Sequence, residues 1–311
     1  MATVVVTRRL PGPALDRLIA EHQVSVWPGD LPPTPDELRT LVMGAEGLLC
    51  LLTDRIDAAL LDGAPRLRAI ANYAVGVDNV DLTAAAARGI PVGSTPDVLT
   101  DATADLALAL LLAAARRLPE AQAAVRAGAW RTWEPQAWLG LELAGATLLL
   151  VGGGRIGRAV ARRAEAFGMR IAAAGREDDL DALLADADAV SLHVPLTPQT
   201  RHLIGEAQLR AMRPHAVLVN TARGPIVDQG ALARALHEGW IAAAALDVTD
   251  PEPLPPDDPL LGAPNLLVVP HIGSATHAAR ERMTELAVEN LLAALSGRPM
   301  PNPAPTGGRA G

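Results

Sequence analysis

Lysine is absent from this chain of 311 residues, so all 27 of its Lys/Arg cations are arginine. That removes the side chain needed for Schiff-base chemistry and leaves any phosphate to guanidinium groups and backbone amides. Cysteine occurs once, as Cys50 inside the apolar run Leu48 to Leu52, where it reads as a small core residue rather than a nucleophile. One cysteine builds neither a disulfide framework nor a thiolate metal site, and no metal is expected. The longest apolar run, Leu106 to Ala115, is too short to cross a bilayer and is closed by Arg116 and Arg117. There is also no cationic run: the net charge is -8, which argues against nucleic acid and against an anionic membrane surface as partners. The start, Met1 to Arg9, lacks the charged-then-apolar order of a secretion signal. A cytoplasmic location is the expectation.

What is present is an alternation. With 50% hydrophobic residues the chain can bury a sizeable core, and its length favours two domains. β-Branched or leucine-rich runs alternate with alanine-rich amphipathic stretches, the pattern of parallel sheets with helical crossovers. Strands are expected near Thr3 to Thr7, Val24 to Trp27, Gly47 to Leu52, Leu67 to Ala71 and Pro91 to Gly93, with helices between them started by Pro35 and Asp81. A second set follows the long helix Asp101 to Arg116, with strands near Thr147 to Val151, Arg170 to Ala173, Ala189 to His193, Ala216 to Val219, Ile241 to Asp247 and Leu266 to Val269. The helical pattern Thr276 to Ser296 is long enough to leave the second set and dock on the first. The expected fold class is α/β with two Rossmann-like domains. One is a doubly wound dinucleotide-binding domain over 99–280, the other a flavodoxin-like substrate domain built from both chain ends, 1–98 and 281–311. The tail Pro299 to Gly311, rich in Pro and Gly, is expected to be disordered. Asp78 and Asp105 are expected to cap and solubilise helices.

Two kinds of motif carry chemistry. Gly152-Gly153-Gly154-Arg155-Ile156-Gly157 sits between an apolar run and a helical pattern, the context that turns a glycine string into a dinucleotide fingerprint. Arg223, Asp247 and His271 all fall at or just beyond the ends of expected strands, and Glu252 follows on a proline-braced loop. Ligands of open parallel sheets collect outside those carboxyl ends, so these residues are expected to project into one crevice. An arginine, a carboxylate and a histidine form a set suited to delivering a hydride to a carbonyl beside a carboxylate. Val75 and Gly76 also follow a strand, and their backbone N–H groups could form a small anion nest. His193, His202, His215, His237 and His277 lack such a context and read as surface or structural residues.

The glycine string, Asn220 to Gly224, Asp247 to Pro253 and Pro270 to Thr276, together with Asn72 to Asn79 and Thr103 to Leu106, closely resemble the D-isomer-specific 2-hydroxyacid dehydrogenases. The resemblance runs from about Val4 to Leu295 in the family's order and spacing, and Trp130 to Gly140 followed by Gly145 is most similar to the glyoxylate and hydroxypyruvate reductase branch. It implies NAD(P)H-dependent reduction of a small 2-oxo acid by a homodimer. It further implies that Arg223 holds the substrate carboxylate and polarises the keto oxygen, that His271 gives the proton, and that Glu252 orients His271 and favours its charged form. Val75 and Gly76 would grip the substrate carboxylate. Gly152, Gly154, Arg155, Ile156 and Gly157 would hold the pyrophosphate, with Thr103, Val194, Pro195, Thr221, Ala222, Asp247 and Gly273 lining the rest of the dinucleotide and Asp247 facing the nicotinamide amide. Trp130, Trp133 and Trp138 would contact substrate or pack at a dimer arm.

NAD-specific members carry an acid where this chain has Gly175, followed by Arg176. A neutral residue followed by arginine suits a 2′-phosphate, so NADP(H) is favoured and NAD(H) remains possible; Glu177, Asp178 and Asp179 would repel that phosphate. The stretch Arg176 to Asp186 is also shorter than the family usually has, lacking a helix and a minor strand. Three alternatives differ in substrate or class. A 3-phosphoglycerate dehydrogenase would need an extra basic contact that residues 72 to 79 do not offer; formate dehydrogenase relatives carry glutamine at the Glu252 position; and a nucleotide-sensing corepressor of the same fold would bind partners instead of turning over substrate.

Overall fold

Short β-branched runs and alanine-rich stretches sort this chain into two separate parallel sheets. The computed structural model describes residues 1–304, and the chain divides into two units, one of Met1–Leu99 together with the segment from Ala275, the other of Thr100–Ser274. The second change of unit falls before the last helix begins, so that helix belongs whole to the first unit.

The first unit runs β1 (Thr3–Val6), α1 (Ala14–Glu21), β2 (Gln23–Val26), α2 (Pro35–Val42), β3 (Gly47–Cys50), α3 (Ala58–Asp62), β4 (Ala69–Asn72), α4 (Leu82–Ala87) and β5 (Val92–Gly93). Its sheet is parallel in the order β2-β1-β3-β4-β5. Caps explain where the helices start: the Thr34 hydroxyl accepts from Glu37 N while Glu37 reaches back to Thr34 N at 2.8 Å, and Asp81 Oδ1 accepts from Ala84 N at 2.8 Å.

The second unit runs α5 (Thr100–Ala115), α6 (Leu118–Arg126), β6 (Thr147–Val151), α7 (Arg155–Ala166), β7 (Arg170–Ala174), α8 (Leu180–Asp186), β8 (Ala189–Leu192), α9 (Glu206–Ala211), β9 (Val217–Asn220), α10 (Gln229–His237), β10 (Ala243–Leu246) and β11 (Leu266–Val268). Its parallel sheet has the order β11-β10-β9-β8-β6-β7. The chain turns outward from β6 to β7 and then returns to the other side at β8, so the strand order reverses between β6 and β8. Fully buried Leu148, Leu149, Leu192 and Leu218 fill the two faces of this sheet, each contributing roughly 1.5–3 kcal/mol relative to exposure. Between β7 and β8 the chain forms one helix, α8, capped by Asp179, and no strand, which leaves β7 at the sheet edge.

The last helix, α11 (His277–Leu295), starts at Thr276, whose hydroxyl accepts from Ala279 N at 3.1 Å, and packs through Met283, Ala287, Val288 and Leu291 onto the first sheet. Two expectations are corrected here. The segment after α11 is ordered to Ala304: Asn302 N donates to Asn290 Oδ1 at 2.9 Å, Asn290 Nδ2 donates to Ser94 O at 2.9 Å, and Ala304 N donates to Val92 O at 2.7 Å. Composition points to disorder, but β5 has an open edge whose backbone groups need partners, and this segment supplies them. Gly93 completes the fit, since a Cβ there would lie 2.6 Å from Asn290 Nδ2. The remainder of the expected disordered tail, 305–311, lies outside the described residues. Asp105 is not a cap; it sits inside α5 and accepts from Arg163 Nε of α7 at 2.6 Å, joining two helices.

Candidate active site

The glycine turn occupies the sheet's switch point. Gly152, at φ +105°, adopts a backbone that L side chains rarely take, and a Cβ on it would lie 2.8 Å from the carbonyl carbon and oxygen of His193, just beyond β8. A Cβ on Gly157 would lie 2.3 Å from Gly152 O. Both positions therefore require glycine for α7 to close on β6. Gly154 is the N-cap of α7, with Arg155 and Ile156 in the first turn, so the positive end of the helix dipole lies at the glycine turn. Gly152 N donates to Ala174 O at 3.1 Å, which ties the turn to the end of β7 and to Gly175. Val194 and Pro195 leave β8 on the other side of the switch point. Beneath them, burial holds the His193 imidazole down to about 4, and its Nε2 pairs with Ser191 Oγ at 2.9 Å, so this histidine is neutral and structural.

Three adjacent strands aim their carboxyl ends at one region. In register, Asn220 of β9 aligns with Leu246 of β10, which aligns with Val268 of β11; Arg223, Asp247 and His271 follow within three residues of those positions. The turn that carries Arg223 is built by Asn220, whose Oδ1 accepts from Ala222 N at 3.0 Å and whose Nδ2 donates to Arg223 O at 2.8 Å. Arg223 Nη1 donates to Ala222 O at 2.8 Å. Gly224 lets that turn press on the next loop, because a Cβ there would lie 1.9 Å from Thr249 O.

On that next loop, Glu252 and His271 meet. Glu252 Oε2 pairs with His271 Nδ1 at 2.8 Å, while Oε1 accepts from Thr249 N at 3.0 Å, so both carboxylate oxygens are fixed. The loop is pinned from outside by Gln229, which donates to Asp250 O at 2.7 Å and accepts from Asp250 N at 2.6 Å. His271 sits at φ +52°, a left-handed conformation uncommon for a residue with a side chain. Asp247 holds it there: Oδ1 accepts from Ile272 N at 2.6 Å, Oδ2 accepts from Gly273 N at 2.8 Å, and Asp247 O accepts from His271 N at 2.9 Å. Only 2% of Asp247 is exposed, and burial raises its carboxyl above the ordinary range against the pull of those amides and of His271. Gly273 is also held from α5, where Thr103 Oγ1 donates to Gly273 O at 3.2 Å.

The sequence marks Asp247 only as a residue facing the cofactor; its work as a clamp on the His271 loop is not legible there, nor are the roles of Asn220, Gln229 and Thr249. The available signals are an asparagine at a strand end and the Gly-Pro step after Arg223. Val75 and Gly76 stand in the first unit, in the loop between β4 and α4, where Asn72 Nδ2 donates to Gly76 O at 2.9 Å. Trp130 and Trp133 are 65% and 79% exposed, and Trp138 lies under Arg117, whose guanidinium carbon is 5.8 Å from the ring centre.

The residues fit a dinucleotide on two observations. The cradle at Gly152 and Gly157 excludes any Cβ, and Thr221 Oγ1, at the end of β9, is buried without a hydrogen-bond partner among the described residues. Buried hydroxyls are rarely left so, and a ligand beside the strand ends would satisfy it.

Comparison with known proteins agrees. The family model for "D-isomer specific 2-hydroxyacid dehydrogenase, NAD binding domain" matches residues 108–273. A glyoxylate reductase of Korarchaeum cryptofilum is 50% identical over 313 residues, covering 96% of this chain and 94% of that protein. Among solved structures, the TT0316 protein of Thermus thermophilus superposes with a TM-score of 0.91 at 54% identity, covering 97% of this chain and all of the other (100%). An NADPH-dependent glyoxylate/hydroxypyruvate reductase of Sinorhizobium meliloti, solved with NADP and malonate, superposes with a TM-score of 0.83 at 35% identity over 99% of both chains.

Proposed function

Because this chain belongs to the D-isomer-specific 2-hydroxyacid dehydrogenase family, we propose that it reduces glyoxylate or hydroxypyruvate to the corresponding 2-hydroxy acid, giving the D-isomer where the product is chiral. It is an NAD(P)-dependent oxidoreductase of 2-oxo acids. The observation that carries the proposal is the Glu252–His271 pair at 2.8 Å, on loops that leave the sheet beside the one bearing Arg223.

A reduced nicotinamide, when bound, would be the source of the hydride for the keto carbon, and the remaining tasks would fall to the chain's own residues. With Nδ1 engaged by Glu252, His271 has Nε2 to donate a proton to the keto oxygen, and to take it back in the reverse direction. Glu252 keeps the ring in one orientation during that transfer. Arg223 offers a planar fork to the substrate carboxylate and a permanent charge beside the oxygen that gains the proton. Gly152, Gly154, Arg155, Ile156 and Gly157 receive the pyrophosphate, Thr221 Oγ1 gains a partner, and Thr103, Val194, Pro195, Ala222, Asp247 and Gly273 bound the remaining space.

NADP(H) is the favoured carrier in this reading, on the exposed Arg176 at the end of β7. Arg176→Ala should weaken NADPH much more than NADH, and an equal loss for both would reject the phosphate contact. The exposed Trp130 and Trp133 support a homodimer, since large apolar side chains clustered on one arm ordinarily meet a partner; mass measurement by light scattering tests it. The deciding experiment for the activity is a panel of 2-oxo acids assayed with both reduced carriers. Turnover of glyoxylate or hydroxypyruvate above pyruvate and phosphorylated acids is expected, and absence of turnover with every acid would overturn the reading.

A further inference from the structure

A cavity of about 460 Å³ opens within the first unit at the amino ends of β4 and β5, whereas Val75 and Gly76 follow the carboxyl end of β4. Its volume is that of a small-ligand pocket. Arg68, one residue before β4, Arg88, at the end of α4, and Arg298, just after α11, all line it, and no acid does. Leu67, Pro91 and Met300 supply apolar lining between them.

The backbone that carries these arginines is fixed. Helix α11 closes with Gly297 N donating to Ala294 O at 3.0 Å and Arg298 N to Ala293 O at 2.9 Å. Helix α4 closes in the same way, Gly89 N donating to Ala86 O at 3.0 Å and Ile90 N to Ala85 O at 2.9 Å. Carbonyls at both helix ends are thus met by the chain's own amides, so capping does not account for three arginines. Beyond Arg298 the chain is latched to Asn290 and to β5 by Asn302 and Ala304.

Positive charge is left over. Arg68 meets Glu46 at 3.6 Å, but Glu46 also serves Arg66 at 3.7 Å; Arg88 pairs with the exposed Asp62, and its Nη1 donates to Ala84 O at 2.7 Å. Arg298 donates through Nε to Ser296 Oγ at 3.0 Å and has no acid partner among the described residues, which leaves its two terminal nitrogens for a ligand. Arg66, Arg68, Arg88 and Arg298 therefore share two acids, a cationic patch in a chain of net charge -8. Guanidinium forks of this kind suit phosphate and carboxylate oxygens.

We propose that this cavity binds a small polyanion, one carrying two or more phosphate or carboxylate groups, at a site separate from those for the 2-oxo acid and the dinucleotide. The bound anion joins the segment after α11 to the starts of β4 and β5, and so stabilises the first unit.

Calorimetry on the full chain with inorganic pyrophosphate and with citrate, at ionic strength held constant with sodium chloride, tests it. Binding of either is expected, and the one that binds more tightly tells phosphate from carboxylate chemistry. Arg298→Gln should weaken that binding roughly tenfold or more, the scale of a lost charge-assisted hydrogen bond. Arg298→Lys, which keeps the charge without the fork, should weaken it less. The anion should also raise Tm in the wild-type chain more than in Arg298→Gln. Absence of binding by both anions overturns the proposal. So does binding that Arg298→Gln leaves unchanged, which places the anion elsewhere, the glycine turn at Gly152 included. A Tm lowered by Arg298→Gln to the same extent with and without anion overturns it too, and assigns Arg298 to the end of α11 alone.

Discussion

Two histidine–carboxylate pairs sit at opposite ends of the second sheet, and they are alike in length. At the amino ends of β8 and β9, His215 Nε2 pairs with Asp188 Oδ1 at 2.8 Å; at the carboxyl ends of β10 and β11, His271 Nδ1 pairs with Glu252 Oε2, also at 2.8 Å. The surroundings differ. Asp188 additionally accepts from Arg213 at 2.7 Å and from Thr147 N at 2.8 Å, so its arginine and its histidine both converge on one carboxylate. In the other pair the acid's second oxygen is taken by a backbone amide, and the arginine stands on a separate strand end. A second acid, Asp247, secures the histidine's loop through backbone amides. The first cluster is closed on itself. The second divides its partners between two acids and stands at the carboxyl ends of the strands, the side of the sheet where ligands collect. Proximity of a histidine and an acid is thus no mark of catalysis by itself; end of sheet and division of partners decide.

The largest effect that would break this contrast is loss of the proton donor. His271→Ala should lower kcat by roughly a hundredfold or more, within the range for a general acid, while the dissociation constant for the nicotinamide carrier stays near wild type. His215→Ala, at the other pair, should leave kcat unchanged. Equal effects on turnover from the two substitutions would remove the distinction. A smaller loss is expected for Glu252→Gln, which keeps an oxygen for Thr249 N and removes the charge beside His271. Its kcat should fall roughly tenfold with KM little moved and with a changed pH–rate profile; a shift in KM alone would assign Glu252 to binding.

How far the sequence reveals these differences depends on the kind of force involved. The strands are legible because β-branched runs bounded by Gly, Pro and Asp have few other uses, and Asp81 and Thr276 mark helix starts through a local hydrogen bond three residues on. The placement of Arg223, Glu252 and His271 at strand ends is legible for the same local reason. Contacts made across the fold are not. Asn290 reads as one more polar residue in a helix, yet it is fully buried and latches the segment after Pro299 to β5. Asp105 reads as a helix-solubilising acid, yet it binds Arg163 from another helix. Gly224 reads as part of a motif, and only the approach of Thr249 O explains why no side chain fits. In each case a partner lies far away in sequence, where periodicity carries no information.

The smallest expected effect concerns stability, and it sharpens the contrast from the closed cluster's side. Burial works to raise the Asp188 carboxyl, but hydrogen bonds from His215, Thr147 N and Arg213, with the arginine's charge, together hold it at about 2. A carboxyl whose pKa is lower folded than unfolded stabilises the fold at every pH above its unfolded value near 4. That contribution drains away as pH falls from about 4 toward 2, where the folded group also takes up its proton. Thermal denaturation followed from pH 6 to pH 2 should therefore show an acid-limb decline that is partly flattened in Asp188→Asn, with the variant less stable at neutral pH. Turnover at neutral pH should be unaffected, because every partner of Asp188 lies at the amino ends of the strands. If Asp188→Asn instead lowered kcat while leaving the acid limb intact, the two ends of the sheet would be coupled, and the closed cluster could no longer be treated as structural.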